Sequence, residues 1–141
     1  MLRHGDAERG SGDDAARRLT EKGERQAATA GRAMAALGIE LDTCLTSPKV
    51  RAAETARLAC AALSTVPETV DELAGRFDAL DLAAGRGEVL LVGHNPDFKT
   101  EVSRLTGANA KFRKGGVAIL DGSTLLAMLR PEDLAAIAAR R

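Results

Sequence analysis

The chain has no tryptophan and no tyrosine, and only three phenylalanines among its 141 residues. Platforms that stack nucleobases or sugars are built from such rings, so recognition by stacking is not expected. Charge of one sign is also missing, since twenty basic residues face twenty acidic ones. That argues against a nucleic-acid binder working through bulk positive charge, although a small basic pocket stays open. No run approaches 18 apolar residues, so no membrane-spanning helix is expected. The opening residues, Met1-Leu2-Arg3-His4-Gly5-Asp6, lack the apolar stretch of a secretory signal. The two cysteines, Cys44 and Cys60, form neither a CxxC pair nor a disulfide framework. They read as small buried hydrophobes in a reducing cytoplasm.

What is present is ordinary for a globular protein: 45% hydrophobic and 28% charged residues, with alanine and leucine supplying the core. The length suits one domain over residues 1–141. Such a chain buries roughly 68% of its unfolded surface without metal or disulfide staples. No internal repeat, long linker or low-complexity tract interrupts it.

Strand and helix patterns alternate along the chain. Met1 to His4 reads as the tail of an apolar strand, and Gly5 to Arg18 as a polar loop. Glu21 to Leu37 has helical period, with Ala27, Ala30, Met34 and Leu37 on one stripe, Thr20 as N-cap and Gly38 as the stop. Leu41 to Thr46 is a short strand. Ser47-Pro48 reads as N-cap and first helical position of a helix reaching about Leu63. Val66 to Leu73, which contains Pro67, is a weak strand or loop. Phe77 to Ala84 predicts a short helix closed by Gly85. Glu88 to Val92 is a continuous apolar run, as expected of a parallel strand buried on both faces. Asn95-Pro96 opens a helix ending near Gly107. Val117 to Leu120 and Leu125 to Leu129 predict a hairpin turning at Asp121-Gly122, and Pro131 begins a terminal helix. This alternation predicts an α/β fold: a three-layer α/β/α sandwich around a mostly parallel sheet.

In such sheets the ligand crevice lies beyond the carboxyl ends of the strands. Three of those ends carry unusual residues: Arg3-His4-Gly5, then Ser47-Pro48 with Arg51 one turn later, and Gly93-His94-Asn95-Pro96. The chain has two histidines, and both directly follow a strand. Taken alone, each is more often structural, and a lone helix arginine usually faces solvent. Together they predict a phosphate pocket. Two arginines supply planar donor forks, and two helix N-termini near Ser47 and Asn95 supply N–H groups. A histidine among those cations is expected to be neutral and nucleophilic.

Two other readings fail on their spacing. Gly93-His94-Asn95-Pro96-Asp97-Phe98-Lys99-Thr100 approximates a nucleotide-binding P-loop, but Phe98 stands where that loop needs glycine before its lysine. Cys44 and Arg51 approximate a cysteine-phosphatase loop, but with the wrong spacing, no intervening glycine, and Pro48 interrupting the N–H nest.

The residues Leu-Arg-His-Gly-Asp-Ala at 2–7 resemble the N-terminal motif of the histidine phosphatase superfamily. Leu19-Thr20-Glu21-Lys22-Gly23 follows in that family's order. So do Thr46-Ser47-Pro48 with Arg51-Ala52 and Glu54-Thr55-Ala56, and then Val92-Gly93-His94-Asn95-Pro96. Lys114-Gly115-Gly116 before a strand is similar to the small SixA-type phosphohistidine phosphatase branch. The resemblance runs from Leu2 to about Leu129 and implies a phosphoglycerate mutase-like fold. It implies a phosphatase in which His4 is the phospho-accepting nucleophile and Arg3, Arg51 and His94 complete the pocket, with Asn95 also binding phosphate. Arg17 or Arg18 would reach the rim. Glu72 is the candidate general acid, with Asp6 as another. No metal and no cofactor are assigned. The expected partner is a phosphorylated protein, carrying phosphohistidine, or a small phosphorylated substrate, with a monomer or weak dimer as the assembly. The alternatives are a broad phosphomonoesterase and a non-catalytic phosphate-binding module. Mutase chemistry is not expected, because no long insertion could form a lid. Only Met1 and Leu2 precede Arg3, so the first strand is read as truncated and the natural protein is expected to start upstream.

Overall fold

The computed structural model describes residues 1–10 and 12–140. Its elements are β1 (Leu2–Arg3), α1 (Glu21–Ala36), β2 (Thr43–Thr46), α2 (Val50–Ala61), β3 (Pro67–Thr69), α3 (Ala79–Ala83), β4 (Val89–Gly93), α4 (Asp97–Thr106), β5 (Val117–Asp121), β6 (Thr124–Leu129) and α5 (Pro131–Ala138). Single 3-10 turns cover Asp14–Ala16 and Asp71–Ala74. The six strands form one sheet in the order β3-β2-β4-β1-β5-β6. β3, β2, β4 and β1 are parallel, while β5 and β6 run antiparallel at one side.

Side-chain alternation on the strands divides the core into two layers. Cys44, Leu90, Val92 and Val117 join the cluster packed by α1, α2 and α5, with Ala30, Met34, Ala56 and Leu134. Their neighbours Leu45, Leu91 and Ala118 face the other way, onto Phe98, Val102 and Phe112. The unbroken apolar run of β4 therefore feeds both layers. Alanine lets α1 and α2 approach closely. A Cβ on Gly31 would collide with the backbone of Ala59, so glycine is needed at that crossing.

Most expected boundaries are present. Thr20 caps α1, its Oγ1 accepting from Gly23 N at 3.1 Å, and Gly38 takes φ +78° after it. Leu37 departs from the predicted stripe: it lies at the end of α1 and is 47% exposed. Of the weak strand read at 66–73, only Pro67–Thr69 pairs. α2 starts at Val50, two residues later than the Ser47-Pro48 reading. Lys49 is its N-cap, and Ser47 Oγ meets His94 and Lys49 N without bonding a helical N–H.

β1 has two residues but is pinned on both sides. Leu2 is fully buried and pairs with Val92 of β4 and Val117 of β5. His4 N donates to Gly93 O at 3.0 Å, and Arg3 N donates to Gly116 O at 3.0 Å. Gly115 N is shared between the carbonyls of Arg3 and His4, each at 3.0 Å. The backbone that delivers His4 is thus held by β4 on one side and by the turn before β5 on the other. No helix among the described residues is long and apolar enough to cross a membrane.

Candidate active site

The carboxyl ends of β1, β2 and β4 bring His4, Ser47, Arg51 and His94 together, and all four are buried. The two imidazoles stand 5.2 Å apart, tilted by 53°. His4 Nδ1 lies 2.7 Å from the carbonyl of Gly5. A carbonyl only accepts, so the proton sits on Nδ1 and the lone pair on Nε2. Gly5 is fixed in turn: its N–H donates to Thr55 Oγ1 at 3.1 Å, and that hydroxyl donates to Arg51 O at 2.7 Å. Thr55 on α2 therefore couples the orientation of His4 to the turn carrying Arg51. A Cβ on Gly5 would come within 2.6 Å of the Gly23 carbonyl, so the loop after His4 packs directly on α1.

Burial pushes the His4 pKa down to about 4, with the charges of Arg51, Arg3 and Lys114 adding to it and the Gly5 hydrogen bond opposing. His94 is pushed down to about 3 by burial, His4, Arg51 and Lys49, with Asp14 opposing. Both rings are neutral near pH 7.

His94 Nε2 is 2.7 Å from Ser47 Oγ, which accepts the Lys49 N–H at 3.2 Å. Arg3 Nη1 donates to Phe112 O at 2.7 Å. Arg51 Nη1 donates to Asp14 O at 2.8 Å, and Nη2 to the Asp14 carboxylate at 3.2 Å. Four buried side-chain atoms among the described residues have no hydrogen-bond partner, and three belong to this cluster: Arg3 Nε, Arg51 Nε and His94 Nδ1. The fourth, Glu54 Oε1, lies 3.5 Å from Arg18 Nε. Each unpartnered donor costs roughly 1–3 kcal/mol of desolvation, a cost that an anion accepting these bonds would relieve.

The other predicted site residues already have partners or lie on the exposed surface. The Asn95 side chain is already engaged, with Nδ2 donating to Phe112 O at 3.1 Å and Oδ1 accepting from Lys99 N at 3.3 Å. It braces the carbonyl that also holds Arg3 and spends one of its two Nδ2 protons there. The helix N-termini offer less than expected near Ser47 and Asn95: Ser47 N donates to Val92 O at 3.0 Å, and Phe98 N to His94 O at 2.9 Å. Arg17 turns its Nη1 to Asp14 at 3.1 Å and its Nε to Glu8 O at 2.7 Å. Arg18 is exposed against Glu54. Glu72 is exposed on the 3-10 turn beyond β3 and is not drawn into the histidine cluster by any hydrogen bond. Asp6 accepts from Thr20 Oγ1 at 2.8 Å and faces Lys114 Nζ at 3.6 Å. These contacts hold its carboxyl below the usual range, the wrong direction for a proton donor.

The P-loop and cysteine readings are also closed. Phe98 is fully buried against Phe77 and Phe112, and Cys44 faces the core. Sequence reasoning missed the parts played by Ser47, Lys49, Thr55 and Asp14. Ser47 and Thr55 lie inside quoted motifs, but nothing in the pattern says which atom each would hold.

The family model for branch 1 of the histidine phosphatase superfamily matches residues 1–78. An uncharacterised protein of Picosynechococcus sp. is 35% identical over 118 residues, covering 74% of this chain and 72% of that one. Among solved structures, the protein histidine phosphatase SixA complexed with tungstate is similar with a TM-score of 0.83 and 25% identity, over 94% of this chain and 96% of that one. A SixA candidate from Agrobacterium tumefaciens has a TM-score of 0.80 and 25% identity, over 92% and 95% of the two chains. A phosphoserine phosphatase of Entamoeba histolytica shares the fold alone, with a TM-score of 0.73 and 15% identity over 94% and 96%. The chain belongs to the histidine phosphatase superfamily, and its fold is phosphoglycerate mutase-like.

Proposed function

We propose that this chain is a metal-independent phosphatase that hydrolyses phosphohistidine through a phosphoryl group carried on His4. One observation carries the reading. The free Nε2 of a neutral His4 stands within a cluster that contains three buried nitrogens without hydrogen-bond partners, on Arg3, Arg51 and His94. A phosphoryl group supplies both the electrophile and the missing acceptors. The similar SixA protein is complexed with tungstate, a tetrahedral oxyanion, which is consistent with a fold that takes a phosphoryl group.

In this mechanism Nε2 of His4 attacks phosphorus in line with the leaving nitrogen. The Nε2–P bond forms as the substrate P–N bond breaks; the substrate ring reacts protonated on its other nitrogen, so the electron pair it takes leaves it as neutral imidazole. Its conjugate acid has a pKa of ~6.5, so a dedicated acid from the protein is not required. That fits the exposed Glu72 and the ionised Asp6. Arg3 and Arg51 meet the charge on the equatorial oxygens. In the tautomer this mechanism uses, Ser47 Oγ–H donates to His94 Nε2 and His94 carries its proton on Nδ1, available to the phosphoryl group. Water then adds to phosphorus, the P–Nε2 bond breaks with its pair returning to His4, and the proton shed by water passes to solvent. The unpaired thiols of Cys44 and Cys60 fit a cytoplasmic setting.

The test is a rapid quench with labelled phosphohistidine protein, beside aryl and alkyl phosphates. Wild type should trap alkali-stable, acid-labile label, and His4→Ala should trap none and turn over none. Retained turnover in His4→Ala would overturn the mechanism. Fastest turnover on alkyl phosphate would instead favour a phosphomonoesterase. Activity should survive EDTA. Loss on chelation, restored by Mg²⁺ or Zn²⁺, would refute metal independence.

A further inference from the structure

Beside Arg3 lies a second cavity of about 710 Å³, bounded by α1, the turn before β5 and the start of α5. Its charged lining is Arg3, Lys22, Arg113 and Lys114 against Asp6 and Glu132. Both carboxylates have partners. Asp6 faces Lys114 Nζ at 3.6 Å, and Glu132 faces Arg130 Nη1 at 3.9 Å. Among the described residues, Lys22 and Arg113 have no carboxylate within ion-pair distance. The cavity therefore keeps uncompensated positive charge next to the candidate phosphate pocket.

Its position is fixed by the same bonds that fix the nucleophile. Phe112 is buried, and its carbonyl accepts from Arg3 Nη1 and Asn95 Nδ2. Gly115 N bonds to the carbonyls of Arg3 and His4, and Gly116 N closes the turn on Arg113 O at 2.8 Å. Gly115 has φ +77° and packs on Gln26 of α1, so the turn seats against the helix that carries Lys22. The backbone at Arg113 is thus fixed beside the pocket, and its exposed side chain lines the cavity.

Resting on the phosphohistidine reading, we infer that Lys22 and Arg113 form a second anion subsite that selects protein substrates with an acidic side chain flanking the phosphohistidine. The phosphoryl group occupies the His4 pocket, and the neighbouring carboxylate enters the cavity on the Arg3 side. An aspartate or glutamate fits, because the subsite offers one guanidinium and one ammonium at a solvated rim. Two exposed charge contacts of this kind are worth about tenfold in kcat/KM. The preference appears chiefly in KM and shrinks as salt screens the rim.

The experiment compares two phosphohistidine peptides that differ only in glutamate or glutamine flanks, on wild type and on Lys22→Gln/Arg113→Gln. Wild type should turn over the acidic peptide about tenfold better. The double variant should lose that preference while its kcat/KM on the neutral peptide stays within about twofold. Arg113→Lys should retain part of it. Equal turnover of both peptides by wild type, or an undiminished preference in the double variant, overturns the inference while leaving the phosphohistidine reading intact. Turnover of neither peptide, with aryl phosphate still hydrolysed, overturns the phosphohistidine reading itself. Both substitutions are on the surface, and a thermal melt matching wild type checks that the fold is retained.

Discussion

Asp14 holds Arg51 from two directions, through its main-chain carbonyl at 2.8 Å and its carboxylate at 3.2 Å. The same carboxylate meets Lys49 Nζ at 3.3 Å and Arg17 Nη1 at 3.1 Å. Those cations drive its pKa far below the ordinary carboxylate range. Each outer nitrogen of Arg51 thus spends one of its two N–H groups on Asp14, and its inner Nε has no partner. An acidic side chain thus sits beside a pocket proposed for phosphate. Asp14→Asn should keep the carbonyl contact that orients Arg51 and remove only the competing charge. Product phosphate should then inhibit two- to threefold more strongly, a shift typical of one exposed charge. Steady-state inhibition by phosphate reads this. Weaker inhibition would mean that the carboxylate, not the carbonyl, positions Arg51.

Thr55 bridges the Arg51 carbonyl and the Gly5 N–H. Thr55→Val keeps the shape and leaves that buried N–H without an acceptor. Stability should fall by about 1–3 kcal/mol in urea denaturation. kcat should fall as well, because Gly5 O orients the His4 ring. A stability loss with kcat unchanged would show that the bridge does not reach the nucleophile.

The pKa values of His4 and His94, about 4 and about 3 in the fold, lie below the ordinary 6.5. Between those values the unfolded chain binds more protons than the folded one. Unfolding free energy should therefore be fully retained above about pH 6.5 and decline as pH falls through 4 towards 3. With two histidines in the chain, two imidazole C–H signals can be followed by NMR. Neither should titrate between about pH 5.5 and 8, against the midpoint of ~6.5 for a free ring. A midpoint near 6.5 for either ring would contradict the burial described.

Gly31→Ala should destabilise the protein by about 1–3 kcal/mol, since the added methyl meets the α2 backbone at Ala59 and cannot be absorbed by a side-chain rotation. Activity per folded molecule should be unchanged, because the crossing lies a turn beyond Thr55 on α2 and shares no hydrogen bond with the pocket residues. Differential scanning calorimetry with an activity assay separates the two effects.

The amino-acid pattern by itself determined the order of elements and which strand ends bring His4, Arg51 and His94 together. Period identifies α1 and the doubly buried β4. Proline and glycine punctuate the helix ends, and His4 and His94 directly follow the strands that end at Arg3 and Gly93. These are local signals, set by residues within one or two turns of each other. The tertiary structure alone decided how each polar atom is spent. Ser47 looks like a cap but bonds His94, and Asn95 looks like a phosphate donor but holds Phe112. Arg17 is drawn to Asp14, and Asp6 is kept ionised by Thr20 and Lys114. Each of those side chains had several partners within reach in sequence. Only the packing of loop against helix brought one of them within bonding distance and burial made the rest costly, which no spacing along the chain encodes.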